Sequence, residues 1–212
     1  LQHSPYHDRD VLEHSLATLA AVPCEQRELR LAALLHDVAK PYCFTRDAQG
    51  TGHFFGHAEQ GAEIAKQMLD SLRYDHHTAE TVAALVRWHD IPVADSERLL
   101  RRRLARFGPQ RYEQLLWLKQ ADAAAHAPAF ATVRVEQVIR QRRQLAVLLQ
   151  AAPCLTLGQL AVNGRDVLAE GVAPGPAVGV LLNGLLHDVI DGRLPNSRDV
   201  LLSELAWRIH ES

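Results

Sequence analysis

The sequence predicts an all-α fold, and three observations carry that prediction. Apolar residues recur at i, i+3 and i+4 in nearly every segment, no segment alternates apolar and polar residues between turn signals, and helix start and stop residues punctuate the chain. With 212 residues, 47% of them hydrophobic, the chain can bury the core of one or two compact domains.

Taken in order, Asp10 followed by Glu13 has the form of a capping box and opens a helix expected to run to about Ala21. A second helix is expected from about Glu25 and must end before Pro41, because the residue preceding proline is driven out of helical geometry. The stretch FTRDAQGTGHFF, 44–55, reads as a glycine-containing loop. Helical period returns over about 57–72, 78–88, 97–106, 109–126 and 133–149. The segment AAPCLT reads as a linker, after which histidine thins out and glycine, proline and valine increase. A boundary is therefore expected near 150, dividing a helical domain, 1–150, from a smaller C-terminal helical subdomain, 151–212. In the latter, a helix entered through Pro174 and Pro176, a turn over 192–195 and a final helix are expected.

Several function classes are disfavoured at once. No apolar run approaches the roughly 20 residues of a membrane span, and the first ten residues lack the apolar stretch of a signal peptide, so a cytoplasmic protein without a membrane partner is expected. Cys24, Cys43 and Cys154 are odd in number and widely spaced, which suggests neither a disulfide framework nor a cysteine zinc site. The chain begins at Leu1, from which a missing upstream part is expected. Net charge is only −2, yet 98–143 holds ten arginines and Lys119 against Glu113, Asp122 and Glu136, a balance of +8. Such asymmetry fits a phosphate-rich partner such as RNA, although arginine runs are also common on solvated helix faces.

The chemistry is announced by polar residues on apolar helical faces. In LRLAALLHDVAKP, His36 aligns with Leu29, Ala32 and Ala33, and Asp37 with Ala33 and Leu34. His89 aligns with Val82, Leu85 and Val86, Asp122 with Leu115 and Leu118, His57 with Gly61, Ile64 and Met68, and His14 with Val11, Ala17 and Thr18. Singly, each reads as a hydrogen-bonded core residue. Together, two carboxylates among four imidazoles need a shared partner, because an ionised carboxylate buried alone costs several kcal/mol. A divalent cation answers that need, since neutral imidazole and carboxylate are ligands for first-row metals.

The order His14, His36-Asp37, His57, His89, Asp122 resembles the HD phosphohydrolase superfamily. The resemblance implies that His14, His36, Asp37 and Asp122 bind one metal, that His57 and His89 bind a second, and that Asp37 bridges the two. The runs SPYHDRDVLEHSL, LRLAALLHDVAKPYCFT, GHFFGHAEQGAEIA, VRWHD and LLWLKQADAAAHAP are similar to the HD domain of bacterial tRNA nucleotidyltransferases, the CCA-adding enzymes. The tail LAVNGRDVLAEGVAPGPAVGVLLNGLLHDVIDGRLPN resembles their C-terminal region. Neither the Gly-Ser loop nor the paired aspartates of their nucleotidyltransferase head occurs in this sequence, so the chain is not expected to add nucleotides by itself.

The function expected first from this resemblance is metal-dependent hydrolysis of small phosphoesters or nucleotides, 2′,3′-cyclic nucleotides above all, with two ions activating a water. Asp37 would bridge the metals and help deprotonate that water, and Lys40, on the same helix end, would meet a phosphate oxygen. Mn²⁺, Ni²⁺, Co²⁺, Fe²⁺ or Mg²⁺ suits mixed N/O ligation. His53, Arg87 and Lys119 are weaker candidates for substrate contact, and His126, at i+4 from Asp122, is placed to orient that ligand. An alternative is a tRNA-binding body fragment of a split or truncated tRNA nucleotidyltransferase, supported by the +8 segment and by the helix that APGPAVG opens. A third reading within the same superfamily is nucleoside triphosphate hydrolysis.

Overall fold

The computed structural model describes residues 10–210, which form ten α-helices and one two-stranded hairpin. The fold is accordingly all-α. The helices are α1 (Val11–Ala20), α2 (Arg27–Leu35), α3 (His57–Ser71), α4 (His76–Trp88), α5 (Glu97–Phe107), α6 (Pro109–Ala124), α7 (Pro128–Gln150), α8 (Gly164–Ala169), α9 (Pro176–Ile190) and α10 (Arg198–His210). No helix among the described residues is long and apolar enough to cross a membrane. His3 and His7, expected at the surface or as caps, lie outside the described residues.

Local chemistry sets most helix starts. The Asp10 carboxylate accepts from the Glu13 amide at 2.8 Å while the Glu13 side chain accepts from the Asp10 amide at 3.2 Å, so the expected capping box forms. Asp75 caps α4 through the Thr78 amide at 2.9 Å, which starts that helix two residues before the expected Thr78. α7 likewise begins at Pro128 instead of 133, with proline in the first turn, where its missing N–H costs nothing. α8 escaped sequence reading altogether. At six residues it is too short to show a period, and a capping box between Asn163 and Asp166 sustains it.

Two further expectations change. The helix expected to end before Pro41 stops already at Leu35, and the chain continues through tighter i→i+3 bonds, Val38 N–H to Leu35 O at 3.1 Å and Lys40 N–H to Asp37 O at 3.0 Å, into a 3₁₀ turn at Lys40–Tyr42. The expected loop at 44–55 contains a hairpin, β1 (Thr45–Arg46) antiparallel to β2 (Gly52–His53), with Thr45 opposite His53. The Asp47 carboxylate closes its turn by accepting from the Gln49 and Thr51 amides at 3.0 and 2.8 Å.

The chain divides into two compact units, and the division is not a single cut near 150. The first comprises 10–93 and 110–144; the second comprises 94–109, which carries α5, and 145–210. In the first unit α3 packs against α4, and α2 against both α1 and α4. The contact surfaces are built of small residues: Ala32, Ala33, Ala39, Ala62, Ala65 and Ala79 are wholly buried. At Gly61 a Cβ would lie 3.3 Å from Val86 Cγ1 and 3.7 Å from Ala39 Cβ, so glycine lets α3 approach that closely. α6 and α7 are tied by Tyr112, whose hydroxyl donates to Gln141 at 3.2 Å, and by the Arg142 guanidinium stacked 3.5 Å over the Trp117 ring.

The second unit has its own apolar core of Leu160, Val162, Val167, Leu185, Leu186, Val189, Ile190, Leu201 and Leu205. At the end of α9, Asp191 accepts from Arg102 at 2.6 and 2.8 Å and from Arg98 at 2.8 Å, both on α5, with Arg193 at 3.0 Å. Hydrogen bonds from Arg102 and Arg98 outweigh the effect of burial and hold this carboxyl well below the usual carboxylate range. A group so depressed stabilises the fold above its unfolded pKa and loses that contribution as pH falls. Asp191→Asn should lower the melting temperature by a few degrees at pH 7, and the deficit should shrink once pH drops below about 4, as measured by circular dichroism.

Candidate metal centre

All six suspected ligands lie in the first unit, and most are placed by helix ends. His36 and His89 are the residues just past α2 and α4, and His57 is the first residue of α3, entered through Gly56 at φ +78°. The last carbonyls of a helix have no intrahelical donor, and these histidines supply one. Nδ1 of His36 donates to Ala33 O at 2.8 Å, and Nδ1 of His89 to Val86 O at 2.6 Å. At the start of α3, His57 Nδ1 donates to Phe54 O at 2.7 Å. A carbonyl oxygen can only accept, so in each neutral ring the proton sits on Nδ1 and Nε2 bears a lone pair directed inward.

Those lone pairs converge on carboxylates. His57 Nε2 and His89 Nε2 lie 3.3 Å apart, and Asp37 Oδ1 is 3.6 and 3.7 Å from them. Three electron-rich atoms thus face one another, an arrangement that a cation relieves. Their separations are those that a first-row divalent ion spans with bonds of about 2.0–2.2 Å. On the other side, Asp37 Oδ2 lies 3.3 Å from His36 Nε2 and 3.8 Å from His14 Nε2, and Asp122 Oδ1 lies 2.9 and 3.7 Å from His14 and His36 Nε2 respectively. Two groups with metal-ligand geometry result, His14–His36–Asp122 and Asp37–His57–His89. The two oxygens of Asp37 face one group each.

The electrostatics express the same need for positive charge. Burial opposes ionisation of His36, but Asp37 and Asp122 beside it win and raise its pKa to about 9. Asp37 is pushed up by burial and pulled further down by His36, Lys40 and His89, for a net depression well below the carboxylate range. Asp122 is likewise depressed, His14 and His36 outweighing burial. In His89, burial and the neighbouring His36 charge lower the pKa. Without metal, a proton on His36 and the Lys40 ammonium, 2.7 Å from Asp37 Oδ2, balance the two carboxylates.

The remaining candidates separate. Lys40 is 8% exposed and folded inward, with Nζ 5.4 Å from the Phe54 ring centre. A cavity of about 700 Å³ opens beside the ligands, and Lys40, His53 and Lys119 line it. Arg87 instead turns to Glu59 and Glu63 on α3, at 2.5 Å each. Two lining residues were undervalued by the sequence: His126, whose Nδ1 donates to the Asp122 carbonyl at 2.9 Å, and Arg134, whose Nη1 lies 3.2 Å from His126 Nε2. The i+4 spacing pointed to His126, but toward the Asp122 carboxylate, which is 3.9 Å away. Nothing local marks Arg134 among the other arginines.

Comparison with known proteins assigns the family. A family model of tRNA nucleotidyltransferase domain 2 matches residues 52–205. The CC-adding tRNA nucleotidyltransferase of Thermus thermophilus is 34% identical over 210 residues, 95% of this chain and 46% of the relative. The A-adding tRNA nucleotidyltransferase of Deinococcus radiodurans is 35% identical over 192 residues, covering 85% and 42% of the two chains, and the multifunctional CCA protein of Verminephrobacter eiseniae 30% over 161, covering 73% and 36%. This chain spans less than half the length of each.

These matches overturn the expectation of phosphoester hydrolysis, and nucleoside triphosphate hydrolysis falls with it; they favour the alternative, part of a tRNA nucleotidyltransferase. The physical reason is that a set of donor atoms decides what can be bound and leaves open what is done with it. Imidazoles and carboxylates around a cation serve structure and phosphate binding as readily as water activation. Matched along nearly its whole length by proteins of one kind, the chain belongs to the tRNA nucleotidyltransferase family.

Proposed function

We propose that this chain is the tRNA-holding body of a tRNA nucleotidyltransferase, with a divalent metal centre inside its first unit. The observation that carries the first part is coverage: relatives named for adding nucleotides to tRNA match 95% and 85% of this chain with 46% and 42% of their own length. An all-α segment with a basic stretch suits the holding of RNA. The basic stretch is not uniformly available. Arg98 and Arg102 are engaged with Asp191, and Arg142 with Trp117 and Gln120. Arg140 and Arg143, both exposed and one helical turn apart on α7, are better placed to meet phosphates.

The metal centre is the second part of the proposal. Its six donors follow the order that resembles the HD superfamily, and their tautomers and separations suit Mn²⁺, Ni²⁺, Co²⁺, Fe²⁺ or Mg²⁺. His57, His89 and Asp37 Oδ1 would hold one ion; His14, His36 and Asp122, with Asp37 Oδ2 alongside, would hold another. Bound ions would supply positive charge at the cavity floor, where an RNA phosphate can be received. The chain's own part is to fix the imidazoles through backbone carbonyls and to keep Lys40 beside Asp37 as a counter-charge.

Two measurements test these statements. In gel shifts with tRNA, affinity should fall steeply with salt, and the double substitution Arg140→Glu, Arg143→Glu should weaken binding about tenfold or more and flatten the salt slope. tRNA binding that is absent, or indifferent to both, would refute the body assignment. Elemental analysis should find up to two first-row ions per chain; Asp37→Asn should abolish them, whereas His57→Ala should spare the ion on the His14 side. Added metal should raise the melting temperature of the parent by several degrees and leave that of Asp37→Asn unchanged.

A further inference from the structure

Helix α5 is the most basic element of the chain, with arginine at 98, 101, 102, 103 and 106, and in the second unit one carboxylate is set against it. Asp191 Oδ1 accepts from Arg102 Nε at 2.6 Å, and Oδ2 accepts from Arg102 Nη2 and Arg98 Nη2, each at 2.8 Å. Arg102 therefore grips both oxygens along one edge of its guanidinium. Arg193 Nη2 reaches the same Oδ2 at 3.0 Å. The carboxylate is 2% exposed, whereas the Arg98, Arg102 and Arg193 side chains are 52, 54 and 55% exposed, so one buried anion lies beneath three cations that face solvent.

Attachment of α5 does not account for this arrangement. Leu100 and Leu104 are buried and Ala105 packs against the apolar core of the second unit, so burial of apolar surface already docks the helix. Ion pairs among half-exposed arginines add little to that. One guanidinium suffices for both oxygens of a carboxylate, yet Asp191 collects three. What the carboxylate occupies is the edge by which arginine recognises phosphate, because the planar, two-pronged donor matches carboxylate and phosphate alike. Arg98 and Arg102, one helical turn apart, are thereby engaged on the same face of α5.

We propose that Asp191 is an internal stand-in for phosphate, which withholds Arg98 and Arg102 from RNA and leaves phosphate contact to Arg140 and Arg143 on α7. The inference rests on the body assignment, since it concerns where that body meets RNA. A cationic helix without a counter-charge attracts any polyanion, whatever its sequence or shape. With Asp191 in place, RNA gains the two arginines only by displacing a buried carboxylate and leaving it unpaired, which is costly. Asp191 thus makes binding selective by subtraction: it lowers affinity for RNA in general and leaves the α7 contacts to decide what is held.

Gel shifts of the whole chain with tRNA and with an unstructured oligouridylate, run in the cold after circular dichroism has confirmed folding, test the proposal. Asp191→Asn should bind oligouridylate about tenfold more tightly than the parent at low salt, and two added phosphate contacts should steepen the logarithmic salt slope by about 1.4. Adding Arg98→Gln and Arg102→Gln to Asp191→Asn should remove both effects, which a purely structural role for Asp191 would not produce. In the parent, Arg98→Gln with Arg102→Gln should leave the affinity for either RNA within about twofold, unlike the Arg140→Glu, Arg143→Glu pair. That comparison decides alone if Asp191→Asn does not fold. An oligouridylate affinity and slope unmoved by Asp191→Asn, a gain that survives loss of both arginines, or an RNA affinity about tenfold weaker when Arg98 and Arg102 are replaced in the parent would overturn the proposal even with tRNA binding intact. A parent that fails to bind tRNA, beside an arginine-dependent gain in Asp191→Asn, would overturn the body assignment alone.

Discussion

Hydrogen bonds from imidazole Nδ1 to backbone carbonyls are what the candidate site depends on. Three of them, from His36 to Ala33, His57 to Phe54 and His89 to Val86, decide which nitrogen of each ring carries the proton. They add a side-chain donor to carbonyls at two helix ends and in the turn before α3; Phe54 O and Val86 O also accept from the His57 and His89 amides at 3.1 and 3.5 Å. One interaction thus settles helix termination, side-chain direction and ligand chemistry together. The inward Nε2 lone pairs follow from it, and so does the need for a cation among them.

That convergence requires the helices to stand close. Leucine and isoleucine faces would hold α2, α3 and α4 too far apart for three Nε2 atoms to meet one carboxylate. Alanine at 32, 33, 39, 62 and 65, and glycine at 61, allow the approach. The charges in the cluster are answered from within it: Lys40 lies 2.7 Å and His36 3.3 Å from Asp37 Oδ2, and His14 Nε2 lies 2.9 Å from Asp122 Oδ1. The compact packing and the buried charges are therefore two aspects of one arrangement.

The family match alters how the cluster is understood. The ligands lie in the unit that also carries α6 and most of α7. A cavity lined by Lys40, Lys119 and Arg134 opens beside them. The resemblance and the ligand chemistry together had suggested hydrolysis, because metal, water and phosphate are so often found together. Donor atoms alone do not separate binding from cleavage, and the family match removes the hydrolytic reading.

The sequence by itself determined the helical class, the capping box at Asp10 and which six polar residues sit on apolar helical faces, because each of these rests on spacing within a segment. An apolar face at i, i+3 and i+4 exposes a misplaced histidine without knowledge of any neighbour. Tertiary structure alone decided which oxygen of Asp37 faces which imidazoles, that Lys40 folds inward, that Arg87 serves Glu59 and Glu63, and that Arg134 lines the cavity. It also carried α5 into the second unit, where Arg98 and Arg102 meet Asp191. Local period fixes which face of a helix is apolar; it contains nothing about which other helix that face will meet, or at what distance.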